Sequence, residues 1–515
     1  MQVPLGIGDF LDRAALVYGQ REAVVDEPDV AGSWGRITYA ELQRRAWGMA
    51  EALEAMGVGA GARVALLSPN AARFLCSYWG VSAYGRVLVP VNYRLNVEEV
   101  KYIVSHSGST VLLVDPEYDE AMAGVDVAHR IVLDGVSDRE LFAPADGPPE
   151  GGPWPADEND CASINYTSGT TARPKGVQLT HRNCWINAAT FGWHMQVNDN
   201  DVLLHTLPMF HCNGWGMPYA ATGMGAKHVV IRKIDGEQIL QRVDREGVTL
   251  LCGAPAVVSA ALDAATARRE RGEQIPGRDQ VRIVVAGAPP PSKIIERVET
   301  ELGWQFNQIY GLTETSPFLT INRHRSEWDG LDAAERSKLL SRAGAPGIGI
   351  KMRVDEQGEV CARANEVFAG YWEQPEETAK AIVDGWFHTG DGGYLDGEYV
   401  VIADRKKDVI ITGGENVSSI EVEDALFQHP AVAEVAVIGV PDDKWGEMVT
   451  ALVVLRSGEQ VTEADLITFA RGRLAGYKCP KAVEFRTELA RTATGKLQKF
   501  KLRQPFWEGK ERQVN

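Results

Sequence analysis

The stretch Tyr166-Thr167-Ser168-Gly169-Thr170-Thr171-Ala172-Arg-Pro-Lys175-Gly176 gathers small hydroxyl residues and glycines and closes them with a lysine. That composition suits a loop folded around a polyphosphate. Backbone N–H groups turn inward where glycine removes the Cβ, and Thr167, Ser168, Thr170 and Thr171 add hydroxyl donors around Gly169. The common Gly-x-x-x-x-Gly-Lys-Ser/Thr loop is excluded, because Lys175 does not directly follow a second glycine and no hydroxyl residue follows it. A different nucleotide chemistry is implied. Five such residues alone would read as a solvated turn; eleven in this order argue for a site.

Four further motifs follow in order. Gln308-Ile-Tyr310-Gly311-Leu-Thr313-Glu314 comes after an apolar strand that ends in Gly287-Ala288-Pro289. Next come Trp386-Phe-His-Thr-Gly-Asp391 and Asp404-Arg405-Lys-Lys407, the latter running on to Gly413-Gly414. Arg491-Thr-Ala-Thr-Gly-Lys496 lies about twenty residues from the C-terminus. His211, in Pro208-Met-Phe-His-Cys-Asn-Gly-Trp215, follows a strand, where a lone histidine is more often a satisfied core residue.

These motifs need elements to hold them. The first loop is expected between a short buried strand over 162–166 and a helix over 179–195, at a strand end, where α/β folds bind ligands. Residues up to about 150 alternate helical and strand patterns, and the Pro/Gly-rich run near 143–155 separates them from a second alternating unit over 160–320. That unit should carry strands near 201–207, 228–231, 249–252 and 282–286, with helices over 237–246 and 292–302. A polar helix is expected over 328–341 and a small β-rich unit over 342–404. Beyond Lys407 a helix opens with the capping box Ser418-x-x-Glu421, then strands 432–440 and 450–455, a helix 463–474 and a strand 482–485. The fold class is therefore α/β: a large N-terminal domain, 1–406, of two βαβ-type subdomains plus a small β-rich subdomain, followed by a small α+β C-terminal domain, 407–515.

The 515 residues exceed one ordinary core. Apolar residues make up 44% and charged ones 24%, as in globular proteins, and no run of eighteen apolar residues could span a membrane. The N-terminus has no signal-like segment, and seven scattered cysteines without metal spacing suggest reduced thiols in the cytoplasm. A formal charge of −17 argues against nucleic acid as a partner, so anionic ligands must be met by local cations such as Lys175, Arg405, Lys407 and Lys496.

Together the five motifs resemble the adenylate-forming superfamily of acyl-CoA synthetases, adenylation domains and luciferases over essentially the whole chain, closest to acyl-CoA ligases of the medium-chain fatty acid or aryl type. One departure is Ala172, where the family usually has glycine; if that position needs positive φ, alanine is disfavoured by about 1 kcal/mol or more. The resemblance implies ATP, Mg²⁺ and coenzyme A as cofactors and a carboxylic acid as substrate. Homodimerisation is left open.

A carboxylate acylates poorly because its leaving group would be oxide, so a thioester requires prior activation. Attack on the α-phosphate of ATP gives an acyl-adenylate and pyrophosphate. By resemblance Lys496 is the adenylation lysine, a long point charge able to bridge carboxylate and phosphate. Thr313 would touch the α-phosphate, Glu314 hold Mg²⁺, and Tyr310, with Gly311 behind it, stack on adenine. Gly287, Ala288 and Pro289 would cradle the base and Gln308 bond its amino edge. Asp391 would bind the ribose hydroxyls with Arg405 assisting. His211 would sit beside the substrate carboxylate, with no role as a base assigned, and Trp215 would help shape the acyl pocket. The second half-reaction needs the CoA thiol where Lys496 had been, so the small domain should turn about Lys407. Gly413-Gly414 would leave a tunnel for pantetheine. Trp445 and the pair Tyr477-Lys478 are weaker candidates for CoA contacts, and packing or solvated surface explains them equally well. The expected activity is an ATP-dependent acyl-CoA ligase for a fatty or aromatic monocarboxylate; an amide synthetase that passes the adenylate to an amine is the alternative.

Overall fold

The computed structural model describes the chain apart from residues 151–154, 156, 168–173, 288–289, 406–407, 413–414, 443–444, 492–496 and 509–515 and the side chains of 404 and 405. Two mostly parallel sheets dominate the described residues. In the first, strands Val87–Val91, Arg63–Leu67 and Ser109–Val114 pair in parallel, and Cys161–Thr167 extends the sheet parallel to Val87–Val91. In the second, Glu22–Val25, Lys227–Val230, Val202–His205, Leu250–Gly253, Arg282–Val285 and Gln305–Tyr310 run parallel side by side.

Strand periodicity explains the layering. Val64 and Leu66 enter the core between the two sheets, while Ala65 and Leu67 enter a separate core on the outer face. Likewise Leu203 and Val284 face inward, and Leu204, Ile283 and Val285 face helices Gly236–Glu246 and Pro255–Glu270. Strands buried on both faces read as continuous apolar runs, as parallel sheets do. Helices Tyr39–Ala55, Ala72–Gly80, His181–His194 and Met217–Met224 fill the central layer, which buries Trp79, Tyr78 and Tyr219.

A five-stranded antiparallel sheet, including Glu359–Arg363, Trp386–Asp396 and Tyr399–Arg405, forms the small β-rich unit. Residues 410–485 build a second five-stranded sheet around the hairpin Val432–Asp442/Gly446–Leu455, backed by helices Ser419–Phe427 and Glu463–Arg471. The expected class and order of units are thus observed. The Ser418 side chain accepts the Glu421 N–H as the capping pattern requires.

Two local expectations change. The segment after the first loop is not helical from 179: Lys175–Thr180 is a strand paired antiparallel with Cys161–Thr167, so the loop caps a β-hairpin. Val177 and Leu179 alternate inward as strand residues, and the helix starts only at His181, where Thr180 and Asn183 form a reciprocal capping box. The polar stretch 328–341 holds a short turn, Ser326–Trp328, and then helix Ala333–Leu340, delayed by a capping box between Asp332 and Glu335.

Candidate active site

Three parallel strands of the second sheet deliver their carboxyl ends to one edge. Strand Val202–His205 leads to His211, Arg282–Val285 to Gly287, and Gln305–Tyr310 to Gly311, Thr313 and Glu314. Such an edge is where doubly wound sheets receive ligands. The hairpin from the first sheet brings Thr167 opposite Lys175 in register.

Adenosine-type groups are well represented here. Gln308 is buried, and among the described residues its Oε1 has no hydrogen-bond partner. A buried acceptor left unpaired is disfavoured by about 1–3 kcal/mol, so it fits an incoming amino donor such as adenine's. Gly287, at φ +89°, has open space where a Cβ would point, so side-chain room there is not limiting but backbone conformation is. Tyr310 donates its hydroxyl to Asp391 Oδ2 at 2.8 Å, which fixes ring and carboxylate together. Asp391 is directly opposite Arg405 across the strand pair. Gly311 has a packing reason as well: a Cβ there would lie 1.5 Å from the Pro317 carbonyl oxygen.

Glu314 Oε1 accepts the Tyr371 hydroxyl at 2.9 Å, and burial followed by the Glu314 charge raises the Tyr371 pKa, so this phenol stays a donor. A single carboxylate held in this way fits Mg²⁺, which takes few protein ligands when it also binds phosphates. Lys175 Nζ pairs with Glu377 Oε2 at 2.5 Å and lies 4.7 Å from the Tyr371 ring centroid. Lys175 first and Lys380 second pull the Glu377 carboxyl down to about 2. Neither Tyr371 nor Glu377 stood out in the sequence; the Gly370-Tyr-Trp sequence after a β-turn was the available signal for the former.

The turn after His211 is unusual. Cys212, Asn213, Gly214, Trp215 and Gly216 have φ of +45°, +51°, +60°, +61° and +74°, one turn of left-handed backbone. Each non-glycine residue there is disfavoured by about 1–2 kcal/mol, so the surroundings must impose the shape. Three side chains form a closed ring: Ser163 Oγ donates to Asn165 Oδ1 at 2.9 Å, Asn165 Nδ2 to Asn213 Oδ1 at 3.2 Å, and Asn213 Nδ2 to Ser163 Oγ at 2.8 Å. Asn187 Nδ2 donates to the Trp215 carbonyl at 3.1 Å, while its Oδ1 accepts the Phe318 N–H at 3.1 Å. Burial pushes the Cys212 thiol well up, which keeps it protonated and unreactive. These asparagines come from three separate elements, Cys161–Thr167, His181–His194 and the turn after His211, and nothing in their spacing marked them as partners.

Of the remaining expected residues, Thr313 opens a short turn whose backbone carbonyl faces Cys212 Sγ at 3.9 Å. Trp445 is 43% exposed beside the hairpin turn, with its N–H on Asp442 Oδ1 at 2.9 Å. Lys478 Nζ pairs with Glu421 at 2.7 Å. The small domain touches the large one where Asp424 Oδ1 accepts the Ser292 N–H at 2.9 Å. Ser168, Gly169, Thr170, Thr171, Ala172, Ala288, Pro289, Lys407, Gly413, Gly414, Lys496 and the Arg405 side chain lie outside the described residues. The feet of the last loop are described: Arg491 and Leu497 form an antiparallel bridge, and Arg491 pairs with Glu434 at 2.6 Å. All seven cysteines are free thiols, and among the described residues no helix is long and apolar enough to cross a membrane.

Comparison with known proteins agrees with this geometry. Residues 11–372 match the AMP-binding enzyme family and 421–496 the AMP-binding enzyme C-terminal domain. The chain is 37% identical to 4-hydroxybutyrate--CoA ligase 2 of Metallosphaera sedula, over 96% of this chain and 93% of that one. It is also 37% identical to 2-methylpropanoate--CoA ligase CCL4 of Humulus lupulus, over 97% and 94%. Among solved structures, the anthranilate CoA ligase AuaEII in complex with anthranoyl-AMP superposes with a TM-score of 0.86 at 25% identity, over 98% of both chains. The chain belongs to the AMP-binding enzyme family, as an AMP-forming acid–CoA ligase that works through an acyl-adenylate.

Proposed function

We propose that the acid is small and largely apolar, of the short aliphatic kind, and that it lies against the left-handed turn behind His211 with Trp215 closing the far end. One observation carries this reading. The polar side chains around that turn already satisfy one another, Asn213 with Ser163 and Asn165, and Asn187 with two backbone groups. They leave little for a polar tail to bond, and Met209, Phe210 and Trp215 beside them are buried apolar side chains. Relatives named for 4-hydroxybutyrate and 2-methylpropanoate support a short chain.

In this reading Gln308 accepts the adenine amino group, Tyr310 stacks on the base, and Asp391 accepts the ribose hydroxyls, with Arg405 assisting. Gly287, Ala288 and Pro289 line the base. Thr167 to Thr171 and Lys175 receive the outer phosphates, which requires Lys175 to leave Glu377. Glu314 holds Mg²⁺, which when bound draws charge from the phosphates. His211 and Thr313 orient carboxylate and α-phosphate, and Lys496 bridges them in the transition state. The small domain, residues 407–515, then turns about Lys407 so that CoA enters past Gly413, Gly414 and Trp445.

The test is a panel of acids with ATP, Mg²⁺ and CoA or simple amines. Short aliphatic acids should exceed twelve-carbon and aryl acids in kcat/KM by about tenfold or more, the discrimination one or two poorly housed methylenes produce. Thioester should form much faster than amide. Preference for long or aryl acids overturns the assignment of the acid.

A further inference from the structure

Away from the nucleotide edge, the β-rich unit gathers four side chains with metal-binding chemistry. Asp355 lies in the turn after strand Lys351–Val354, Glu359 and Cys361 lie on Glu359–Arg363, and His388 on Trp386–Asp396. Cys361 is directly opposite His388 across the sheet. The ligand atoms of Asp355, Cys361 and His388 all fall within 4.8 Å of one another.

Three distances from His388 approach those between ligands on one ion. His388 Nδ1 is 3.6 Å from Cys361 Sγ, 3.3 Å from Glu359 Oε2 and 4.0 Å from Asp355 Oδ2. Ligands about 2.0–2.3 Å from a tetrahedral zinc ion stand about 3.3–3.7 Å apart. These distances all run from His388; Asp355, Cys361 and His388 lie within 4.8 Å of one another, so a bound ion would draw the carboxylates in toward Cys361.

The carboxylates are also aimed. Asp355 Oδ1 accepts the N–H groups of Gln357 at 2.9 Å and Glu359 at 2.8 Å, which directs Oδ2 toward His388. Glu359 Oε1 accepts the Gly390 N–H at 2.8 Å, which directs Oε2 to the same place. Carboxylates anchored to backbone N–H groups in this way hold a metal ligand in a fixed direction. Side-chain exposures of 13%, 12% and 24% for Asp355, Glu359 and His388, with Cys361 buried, leave a shielded site with an entry path.

Charge argues in the same direction. Arg353 is opposite Cys361 across the sheet and stacked 4.4 Å over Trp386. Two carboxylates, a thiolate and one guanidinium leave a net charge of −2, which one divalent cation cancels. The Cys361 thiol would lose its proton to solvent on binding a cation.

We propose that Asp355, Cys361 and His388, with Glu359 held beside His388, bind one borderline-soft divalent cation of the zinc type, distinct from the magnesium that accompanies ATP. Mixed sulfur, nitrogen and oxygen donors select such an ion over magnesium or calcium. Because Gly390 hangs on Glu359 and precedes Asp391, the ion would pin the hairpin that carries the ribose carboxylate.

The experiment uses the tag-free full chain, stripped with chelator and titrated with Co²⁺ while absorption is recorded. One equivalent should give a thiolate-to-cobalt charge-transfer band with tetrahedral d–d bands, and Zn²⁺ should displace it. Cys361→Ser should abolish the charge-transfer band, and His388→Gln should weaken Co²⁺ binding about tenfold or more, the usual penalty for losing a ligand or its support. Asp355→Asn, at a turn outside the core, should weaken binding without lowering the metal-free melting temperature; it tests the site even if a strand variant folds poorly. A band unchanged in Cys361→Ser, equal Zn²⁺ affinity in wild type and Asp355→Asn, or no stoichiometric binding would overturn the proposal and leave a hydrogen-bonded cross-strand cluster.

Discussion

The two ends of the candidate crevice are built differently. At the acid end, a strained left-handed turn is enclosed by buried amides that satisfy one another. At the phosphate end, Lys175 is paired with the partly exposed Glu377 and Glu314 with a phenol, partners that a polyphosphate or its metal can replace. The first end is shaped during folding, and its substitutions should register as lost stability. The second is completed on binding, and its substitutions should register as lost rate or affinity with the fold intact.

The strongest test of that division is Lys496→Ala. Adenylation should fall about a hundredfold or more, the scale for losing a preorganised charge, with an unchanged melting temperature and with transfer from supplied acyl-adenylate to CoA largely retained. Equal damage to both half-reactions would remove the asymmetry between the steps.

Asn213→Ala should do the reverse. It opens the ring with Ser163 and Asn165 and puts alanine at φ +51°, so urea unfolding should show a loss of about 2–3 kcal/mol. A variant as stable as wild type would mean that the ring does not hold the turn.

Glu366 sharpens the buried side through pH. Burial raises its carboxyl from an ordinary 4.5 to about 7, and its buried Oε1 has no partner among the described residues. Because the folded value exceeds the unfolded one, its favourable contribution is complete below pH 4.5 and is lost as pH rises through about 7. Glu366→Gln should therefore raise stability at pH 8 relative to pH 5, by about 2–3 kcal/mol at most. The same increment at both pH values would show that the carboxyl titrates normally.

The smallest effect is expected from Glu377→Gln. Freeing Lys175 of a solvent-screened ion pair should lower KM for ATP by about two- to fivefold and leave kcat alone. A raised KM would mean that Glu377 positions Lys175 for the nucleotide.

Much of the fold was legible because buried parallel strands write themselves as short apolar runs: Ala482–Phe485 coincides with its expected range. The hairpin strand Lys175–Thr180 was missed because Val177 and Leu179 fit both a strand and the start of an amphipathic helix. Only pairing with Cys161–Thr167 decides between them. In the crevice, residue types pointed to Gln308, Tyr310, Glu314 and Asp391. Their partners were hidden because Tyr371 is 57 positions from Glu314 and Glu377 is 202 from Lys175. Contacts at that separation leave no periodic trace. The left-handed turn was half visible, since Asn and Gly tolerate that backbone, but nothing in the sequence foretold a tryptophan adopting it.

Asn187 reaches from the Trp215 carbonyl to the Phe318 amide and spans two segments with one carboxamide. The gap between those segments is set by that span, as if by a fixed gauge. Descendants of this chain can narrow their selectivity by enlarging one neighbour at a time. With the acid placed as proposed, accepting bulkier cargo would require the gauge itself to be replaced while both backbone groups find new partners. Drift in selectivity should therefore be lopsided, with smaller acids a single step away and larger ones reached only through coupled changes.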